Sequence, residues 1–186
     1  MIIRLTDCPS QPWKNGLGRT REIAVQPSSA EGSDFDWRIS IAEVDSAAPF
    51  SVFPGIDRQI VLLDGDGFRM TLDNQRTHAL TQPLVPFAFP GEARVAVSLA
   101  GGPTRDFNLM LRRARVRGEV QAWTGPEARQ LPAGTVLVFC AAGSMVTPDG
   151  RLHAGDSWRP DTEDGAIIAL DEDARALAVR IECLAR

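Results

Sequence analysis

The chain has few of the residues that build metal sites and covalent cross-links. Its 186 residues include three cysteines and two histidines. Cys8, Cys140 and Cys183 are odd in number and widely spaced, with no Cys-x-x-Cys pair, which argues against a disulfide scaffold and a thiolate metal site. His78 and His153 are far apart in the sequence, near polar turns, and no third metal ligand accompanies them. The sequence therefore predicts no bound metal and no cofactor.

Long apolar runs and a strong net charge are also missing. No apolar run approaches the ~20 residues that span a bilayer, and polar residues come too early in the chain for a signal peptide. The net charge is only −4, so no overall field favours nucleic acid or an anionic membrane. The arginines of segment 112–117 lack the interleaved aromatic residues of a nucleic-acid site. We expect a cytoplasmic protein that binds neither nucleic acid nor membrane; a homodimer stays open.

The sequence does carry a strong strand signal. With 44% apolar residues the chain can bury a substantial core. Short alternating or apolar runs, separated by turn signals, predict strands over residues 20–25, 37–44, 59–63, 68–72, 95–99, 107–111, 119–123, 135–139, 166–170 and 176–184. Helix is expected only as short turns near residues 6–8 or 33–36. This pattern predicts an all-β protein with little helix, built as a sandwich or barrel.

The turn signals also predict how the chain is divided. A Gly-Gly-Pro sequence at residues 101–103 lies near the middle, and each half has enough strands for one small barrel. We therefore expect one domain over residues 1–103 and another over 104–186, with exchange of strands between the halves left open. Strand 68–72 is expected to return as the partner of strand 59–63 and then to turn at Asp73 and Asn74.

Residues 49–65 have the frame of a metal-binding cupin strand pair without its metal ligands. Such a pair carries His-x-His, then a Glu, then an apolar strand that ends in a Gly turn. Ser51 and Phe53 fall where the two histidines would be, and Arg58 falls where the Glu would be. Neither Ser nor Phe replaces an imidazole, and Arg keeps its charge and cannot ligate a cation. The segment therefore predicts a cationic pocket for an anion such as a carboxylate.

Strand 37–44 supplies a second candidate cation. Its alternation places Arg38 and Ser40 on one face and apolar side chains on the other. A buried arginine needs an anionic partner because an unpaired buried charge is costly. That partner is Asp36, Glu43 or Asp57 of the chain itself, or the carboxylate of a ligand, and the sequence leaves these alternatives open.

Two further segments carry polar residues that could either contact a ligand or have a structural role. Lys14 is the one lysine, against nineteen arginines, and it lies beside Asn15 in a glycine-containing segment. For Lys14 we favour a surface turn that leads into a strand. Asp106 and Asn108 share a face of an otherwise apolar strand, and we favour a structural hydrogen-bonding role for them over contact with a ligand.

Five segments together resemble the HutD/Ves family of bicupins. They are residues 12–23, 35–44, 49–58, 89–92 and 106–110, in the order that the family has them. The family's loop usually has three consecutive glycines, and Leu17 replaces the middle one here. The resemblance implies two cupin-like antiparallel β-barrels in one chain, with a pocket in the first. It also implies a bacterial accessory role in histidine utilisation and small carboxylate ligands from histidine breakdown, such as formylglutamate or urocanate.

The leading hypothesis is a metal-independent, small-molecule-binding bicupin with an accessory or regulatory role. Its arginines would bind carboxylate oxygens. The predicted ligand-binding residues are Trp13, Asn15, Arg38, Ser40, Phe53, Asp57 and Arg58. One alternative is a metal-independent isomerase or hydrolase acting on a small carboxylic acid, with Lys14, Glu43 or Asp57 as its acid/base group. The other is a protein-interaction module whose first barrel is filled by side chains.

Overall fold

The structure is a computed structural model that describes residues 1–13, 16–29, 34–161 and 165–185. This part of the chain forms eighteen strands and one short 3-10 helix, at Leu5–Asp7. The strands are β1 (Ile2–Ile3), β2 (Ser10–Pro12), β3 (Gly18–Pro27), β4 (Phe35–Val44), β5 (Ile56–Asp64), β6 (Phe68–Leu72), β7 (Arg76–Leu80), β8 (Phe87–Pro90), β9 (Val95–Leu99), β10 (Thr104–Arg112), β11 (Val116–Thr124), β12 (Glu127–Gln130), β13 (Thr135–Ala142), β14 (Ser144–Thr147), β15 (Gly150–His153), β16 (Ser157–Trp158), β17 (Ile167–Leu170) and β18 (Arg175–Cys183). The prediction of an all-β chain with little helix is confirmed.

Every predicted strand is present, with ends that shift by a few residues. The expected turn near residues 6–8 corresponds to the 3-10 helix. The other prediction, a helical turn at 33–36, is wrong for Phe35 and Asp36, because these residues begin β4. Ser33 lies outside the described residues. The strands that were not predicted all have only two to five residues, too few to show a clear period.

The chain divides into two compact units. Unit 1 consists of Met1–Cys8 and Arg117–Cys183, and unit 2 consists of Pro9–Val116 with the end of the chain from Leu184. This division falls later in the chain than the expected one after residue 103, because β10 pairs with β4 and β5 inside unit 2. Strand β1 belongs to unit 1, where it pairs with β16.

Unit 2 consists of two antiparallel sheets with a core between them. The larger has the order β2-β3-β4-β10-β5-β8 and the smaller the order β7-β6-β9. The expected pairing of β6 with β5 is wrong: β6 pairs with β7 and β9. Apolar side chains of β5 and β6, including Leu62 and Phe68, share one buried cluster, so the chain crosses from one sheet to the other between these strands.

The two turns beside β6 use backbone conformations that the sequence indicates. Gly65 and Gly67 both have positive φ, and a Cβ on Gly67 would lie 2.0 Å from the carbonyl oxygen of Leu80, so this crossing requires glycine. Asp73 and Asn74 have φ of 51° and 57° and join β6 to β7 in the hairpin, which confirms the predicted turn.

Unit 1 also consists of two antiparallel sheets. Their orders are β1-β16-β13-β18-β11 and β12-β17-β14-β15. Its buried cluster draws on both sheets and includes Trp123, Val138, Met145 and Ile168. Within the described ranges no sheet of either unit closes on itself, so the expected closed barrels are replaced by pairs of open sheets. No helix of the described chain is long and apolar enough to cross a membrane.

Candidate functional site

One face of the larger sheet of unit 2 carries a row of polar side chains. Alternation along β4 places Arg38 and Ser40 on this face. In the strand register, Ser40 lies opposite Asn108 of β10. Met110, two residues further along β10, lies opposite Arg38 on one side and Arg58 of β5 on the other. The two arginines therefore flank the same position of the central strand and face the same side of the sheet.

The guanidinium of Arg58 is surrounded by aromatic rings. Its central carbon lies 5.1 Å from the ring centre of Phe50, 5.6 Å from that of Phe53 and 4.9 Å from that of Phe89. Arg58 is only 6% exposed. Contacts of this kind favour a cation, and three of them fix the position of a side chain that would otherwise be mobile.

The segment that contributes Phe53 is tied down by the turn after β8. The backbone N–H of Phe53 donates to the carbonyl oxygen of Gly91 at 2.7 Å, and the N–H of Gly55 donates to Glu92 Oε1 at 2.7 Å. Arg113 donates to both carboxylate oxygens of Glu92 at 3.0 Å. The hydrogen bonds from Arg113 and Gly55 lower the pKa of Glu92 to about 2. The aromatic wall around Arg58 is therefore held in place by surface interactions.

A chain of hydrogen bonds runs from Arg58 along the buried side of this face. Arg58 Nη2 donates to Asn108 Oδ1 at 3.0 Å, and the Asn108 amide donates to Asp106 Oδ1. Asp106 is 1% exposed. At the two ends of this series of hydrogen bonds, Arg58 Nε and Asp106 Oδ2 are buried without a hydrogen-bond partner among the residues described. Buried polar atoms that lack partners are uncommon and mark functional positions or places for a missing group.

Burial shifts the pKa values of the two charged residues that these hydrogen bonds connect, Arg58 and Asp106. Desolvation lowers the pKa of Arg58 to about 10; the charge of Asp106 opposes this shift and that of Arg38 adds to it. Desolvation raises the pKa of Asp106 to about 7, against the opposing effects of the Asn108 hydrogen bond and the Arg58 charge. Arg58 is therefore a cation at neutral pH, and Asp106 titrates in the physiological range.

Arg38 has an anionic partner on the neighbouring strand. Its Nε donates to Glu22 Oε2 of β3 at 2.8 Å. None of the three partners considered from the sequence fills this role. Asp57 pairs with Arg113, and Asp36 and Glu43 pair with other arginines. Glu22 was missed because it is distant from Arg38 in sequence and reaches it through the pairing of β3 with β4.

These side chains line a cavity of about 500 Å³. Its wall combines aromatic and aliphatic surfaces with a few polar groups, as is usual for small-molecule sites. One edge is formed by Trp13, whose indole N–H donates to Thr20 Oγ1 at 2.8 Å. The lining residues are Pro12, Trp13, Thr20, Arg38, Ser40, Ala42, Pro49, Phe50, Ser51, Phe53, Arg58, Asp106, Asn108 and Met110.

Comparison with known proteins decides the family. The family model described as HutD matches residues 5–178. The chain belongs to the HutD family. A Pseudomonas putida protein named "Uncharacterized 21.2 kDa protein in hutC 3'region" is 43% identical over 152 residues, covering 81% of this chain and 78% of that protein. Protein Ves of Citrobacter koseri is 40% identical over 153 residues, covering 81% and 78%. The resemblance to the HutD/Ves family is therefore confirmed.

Solved structures of the HutD family and of more distant proteins share the fold. The structure of HutD from Pseudomonas fluorescens SBW25 matches with a TM-score of 0.85 and 32% identity, covering 100% of this chain and 99% of that one. A variant of oxalate decarboxylase from Bacillus subtilis matches with a TM-score of 0.66 and 8% identity, covering 99% and 79%. At 8% identity the likeness concerns the fold alone. This chain therefore has a cupin-like fold.

The structure brings most of the predicted ligand-binding residues together. Trp13, Arg38, Ser40, Phe53 and Arg58 all line the cavity. Two predicted residues do not join them. Asn15 lies outside the described residues, as does Lys14. Asp57 is exposed, and its carboxylate contacts Arg113 at 2.7 Å; it precedes Arg58 directly on β5 and therefore faces the other side of the sheet.

Several lining residues were not predicted as ligand contacts. Asp106 and Asn108 were given a structural role, and the structure places them in the cavity wall. Their phase was visible in the sequence, as two polar residues spaced by two on an apolar strand. Phe50 and Thr20 had no such signal, because a loop conformation and the pairing of distant strands place them there.

The cupin frame holds no ligand set for a metal. Ser51 and Phe53 line the cavity beside Arg58, in keeping with their places in the frame. Among the residues that the structure describes, no group of three or more His, Cys, Asp or Glu side chains is arranged to hold a metal ion. His78 stacks on Phe87 with ring centres 3.6 Å apart and is not part of the cavity wall.

Proposed function

We propose that this chain is a cytoplasmic, small-carboxylate-binding protein of the HutD family with an accessory or regulatory role in histidine utilisation. The observation that carries the proposal is a buried cation in the wall of an open cavity. Arg58 is 6% exposed, is surrounded by three aromatic rings and has an Nε without a hydrogen-bond partner in the described chain. A buried guanidinium with unused donors is well suited to a carboxylate, which accepts charge-assisted hydrogen bonds.

In this proposal each unit is one of two cupin-like modules, as in a bicupin. The ligand binds in the module of unit 2. In this module Arg38 and Arg58 flank Met110 on the sheet and would bind carboxylate oxygens together. Ser40 would supply a neutral hydrogen bond, and Phe53 would cover the apolar part of the ligand. Formylglutamate and urocanate both offer a carboxylate next to a short, flat or flexible body, which suits the size of the cavity.

The name of one relative supports the link to histidine utilisation. The Pseudomonas putida relative is named for its position in the region 3' of hutC.

The alternatives have less support. Glu43 was considered as an acid/base group, but it pairs with Arg19 and Arg21 and follows Ala42 of the cavity wall, so it faces the other side of β4. Asp57 likewise faces away from the cavity, and Lys14 lies outside the described residues. The interaction module requires a filled interior, whereas the space in unit 2 amounts to about 500 Å³. We therefore propose binding and no second function.

Calorimetric titration of formylglutamate into the wild type tests the proposed function. We expect a dissociation constant below about 1 mM, equivalent to about 4 kcal/mol of binding free energy. The control ligand is the diamide of formylglutamate, which has similar size and shape but no carboxylate. Similar affinity for both compounds, or no heat with either at neutral pH, would reject a carboxylate site.

Removing the negative charge of Glu22 should tighten carboxylate binding. Glu22→Gln keeps a side-chain oxygen for Arg38 Nε but leaves the Arg38 charge uncompensated. Because Glu22 is partly exposed, we expect a gain in affinity of only about threefold to tenfold in the same titration. The matched control is Glu43→Gln, which removes a carboxylate outside the cavity wall and should leave the affinity unchanged. Weaker binding in Glu22→Gln would mean that Glu22 itself contacts the ligand.

A further inference from the structure

The charges counted around the cavity cancel when all of them are ionised. Arg38 is balanced by Glu22 at 2.8 Å. Arg58 is connected through Asn108 to Asp106. Counting the lining residues and their ion-pair partners within the described chain, two cations face two carboxyl groups. With both carboxyls ionised, the cavity therefore offers no net positive charge to an incoming carboxylate. With Asp106 neutral, one positive charge is left over, at Arg58.

Asp106 is a carboxyl group whose surroundings favour the neutral acid. Its Oδ2 is buried and has no hydrogen-bond partner among the described residues, and within that part of the chain the charged group that acts on it is Arg58 of β5. From β4, Arg38 acts on Arg58 and is itself paired with Glu22 of β3. The remaining lining residues on these elements are uncharged. An ionised carboxylate with an unsatisfied buried oxygen is costly, whereas the neutral acid is much less so.

We propose that Asp106 is a specificity-determining residue that takes up one proton when a carboxylate binds beside Arg58. This inference rests on the proposed function of the cavity. The proton comes from solvent or buffer and is held on the Asp106 carboxyl, and no covalent bond of the ligand changes. The neutral acid leaves the Arg58 charge to the ligand. It also makes the cavity unfavourable for cations, which would be attracted only to the ionised form.

The direction of the pH dependence follows from linkage. A ligand that binds the protein with neutral Asp106 more tightly than the protein with ionised Asp106 raises the proton affinity of Asp106 in the complex by the same factor. Because the pKa of Asp106 is about 7 in the unliganded protein, the affinity for a carboxylate should be nearly constant well below that pH. At higher pH it should fall by about tenfold per pH unit. Arg58, with a pKa of about 10, stays mostly charged over this range.

Calorimetry in buffers of different ionisation enthalpy tests this inference. Formylglutamate is the probe because its carboxylic acids titrate near pH 4 and do not themselves exchange protons above neutral pH. At about pH 8, titrations in phosphate and in Tris should give observed heats whose difference corresponds to uptake of about one proton per ligand bound. The dissociation constant of the wild type should rise about fiftyfold from about pH 7 to about pH 9, because about half of Asp106 is already ionised at the lower pH. This series needs no variant.

Asp106→Asn provides the matched variant, because its side chain is neutral at every pH. We expect it to bind formylglutamate with the same heat in both buffers and with little change in affinity over the same pH range. Asp64→Asn, which removes a carboxylate paired with Arg105 outside the cavity wall, should keep the proton uptake of the wild type. If the wild type binds formylglutamate with the same heat in both buffers, no proton is taken up. That result overturns this inference and leaves the proposed function standing. Absence of binding throughout the pH series overturns the proposed function and this inference with it.

Discussion

Replacing Arg58 by methionine is expected to weaken formylglutamate binding by at least about a hundredfold, which corresponds to about 2.7 kcal/mol. Methionine keeps an apolar side chain among the rings of Phe50, Phe53 and Phe89 but removes the charge that the ligand would contact. Calorimetric titration of the variant and the wild type measures the change. An affinity within about threefold of the wild type would remove Arg58 from the site.

The loss of binding should not be a consequence of unfolding. Removing one partner of a buried charge pair is strongly destabilising if the other partner stays charged. Asp106, whose pKa is raised to about 7, can instead take up a proton, and Asn108 Oδ1 loses a donor at a cost of about 1–3 kcal/mol. Thermal unfolding should therefore show a folded variant with modestly changed stability. The control is Arg76→Met: Arg76 lies 5.7 Å from the ring centre of Phe87, a similar contact outside the cavity wall, and its replacement should leave the affinity unchanged.

Replacing Gly91 by alanine is expected to cost about 3 kcal/mol of stability and to weaken ligand binding. A Cβ on Gly91 would lie 2.5 Å from the carbonyl oxygen of Phe53 and 2.8 Å from that of Ile56. Both are backbone atoms, and Gly91 is hydrogen-bonded to both residues at 2.7 Å. The segment that places Phe53 on Arg58 must therefore move.

Urea unfolding and the formylglutamate titration together measure this effect. Gly102→Ala is the matched control, because the nearest atom to its added Cβ, Asp66 Oδ2, would be 3.8 Å away, an ordinary contact distance. We expect this control to stay within about 0.5 kcal/mol of the wild type. If Gly91→Ala is equally close to the wild type in both stability and affinity, the segment around Phe53 does not depend on the turn after β8.

Strand periodicity was enough to identify the two arginines of the cavity. Arg38 alternates with the apolar residues of β4, and Arg58 is in phase with Ile60 and Leu62 of β5, so each could be assigned to a face from the sequence alone. The same rule could have excluded Asp57, which precedes Arg58 and must face the other side of the strand. The prediction that Asp57 binds the ligand together with Arg58 is inconsistent with this alternation.

The order of the strands could not be read from local patterns. β10 lies between β4 and β5, and this arrangement brings Asp106 and Asn108, for which we favoured a structural role, into the cavity wall beside Arg58. The same long-range pairing makes Glu22 the partner of Arg38. Such contacts depend on where distant segments meet, whereas periodicity reports only which way a side chain faces within its own strand.

The structure shows what surrounds the positions that the cupin frame assigns to metal ligands. In the segment 49–58, a loop rich in aromatic residues leads into β5, and the first inward-facing charged side chain of that strand points at the centre of the sheet. Ser51 and Phe53 line the cavity together with Arg58, and Phe53 forms part of the aromatic wall around the Arg58 guanidinium.

A crystal structure of the chain with formylglutamate tests this account most directly. The account predicts a carboxylate of the ligand in the cavity of unit 2, with its oxygens about 3 Å from guanidinium nitrogens of Arg38 or Arg58. A ligand bound elsewhere on the protein at saturating concentration would contradict the account, as would a metal ion held by side chains of this cavity.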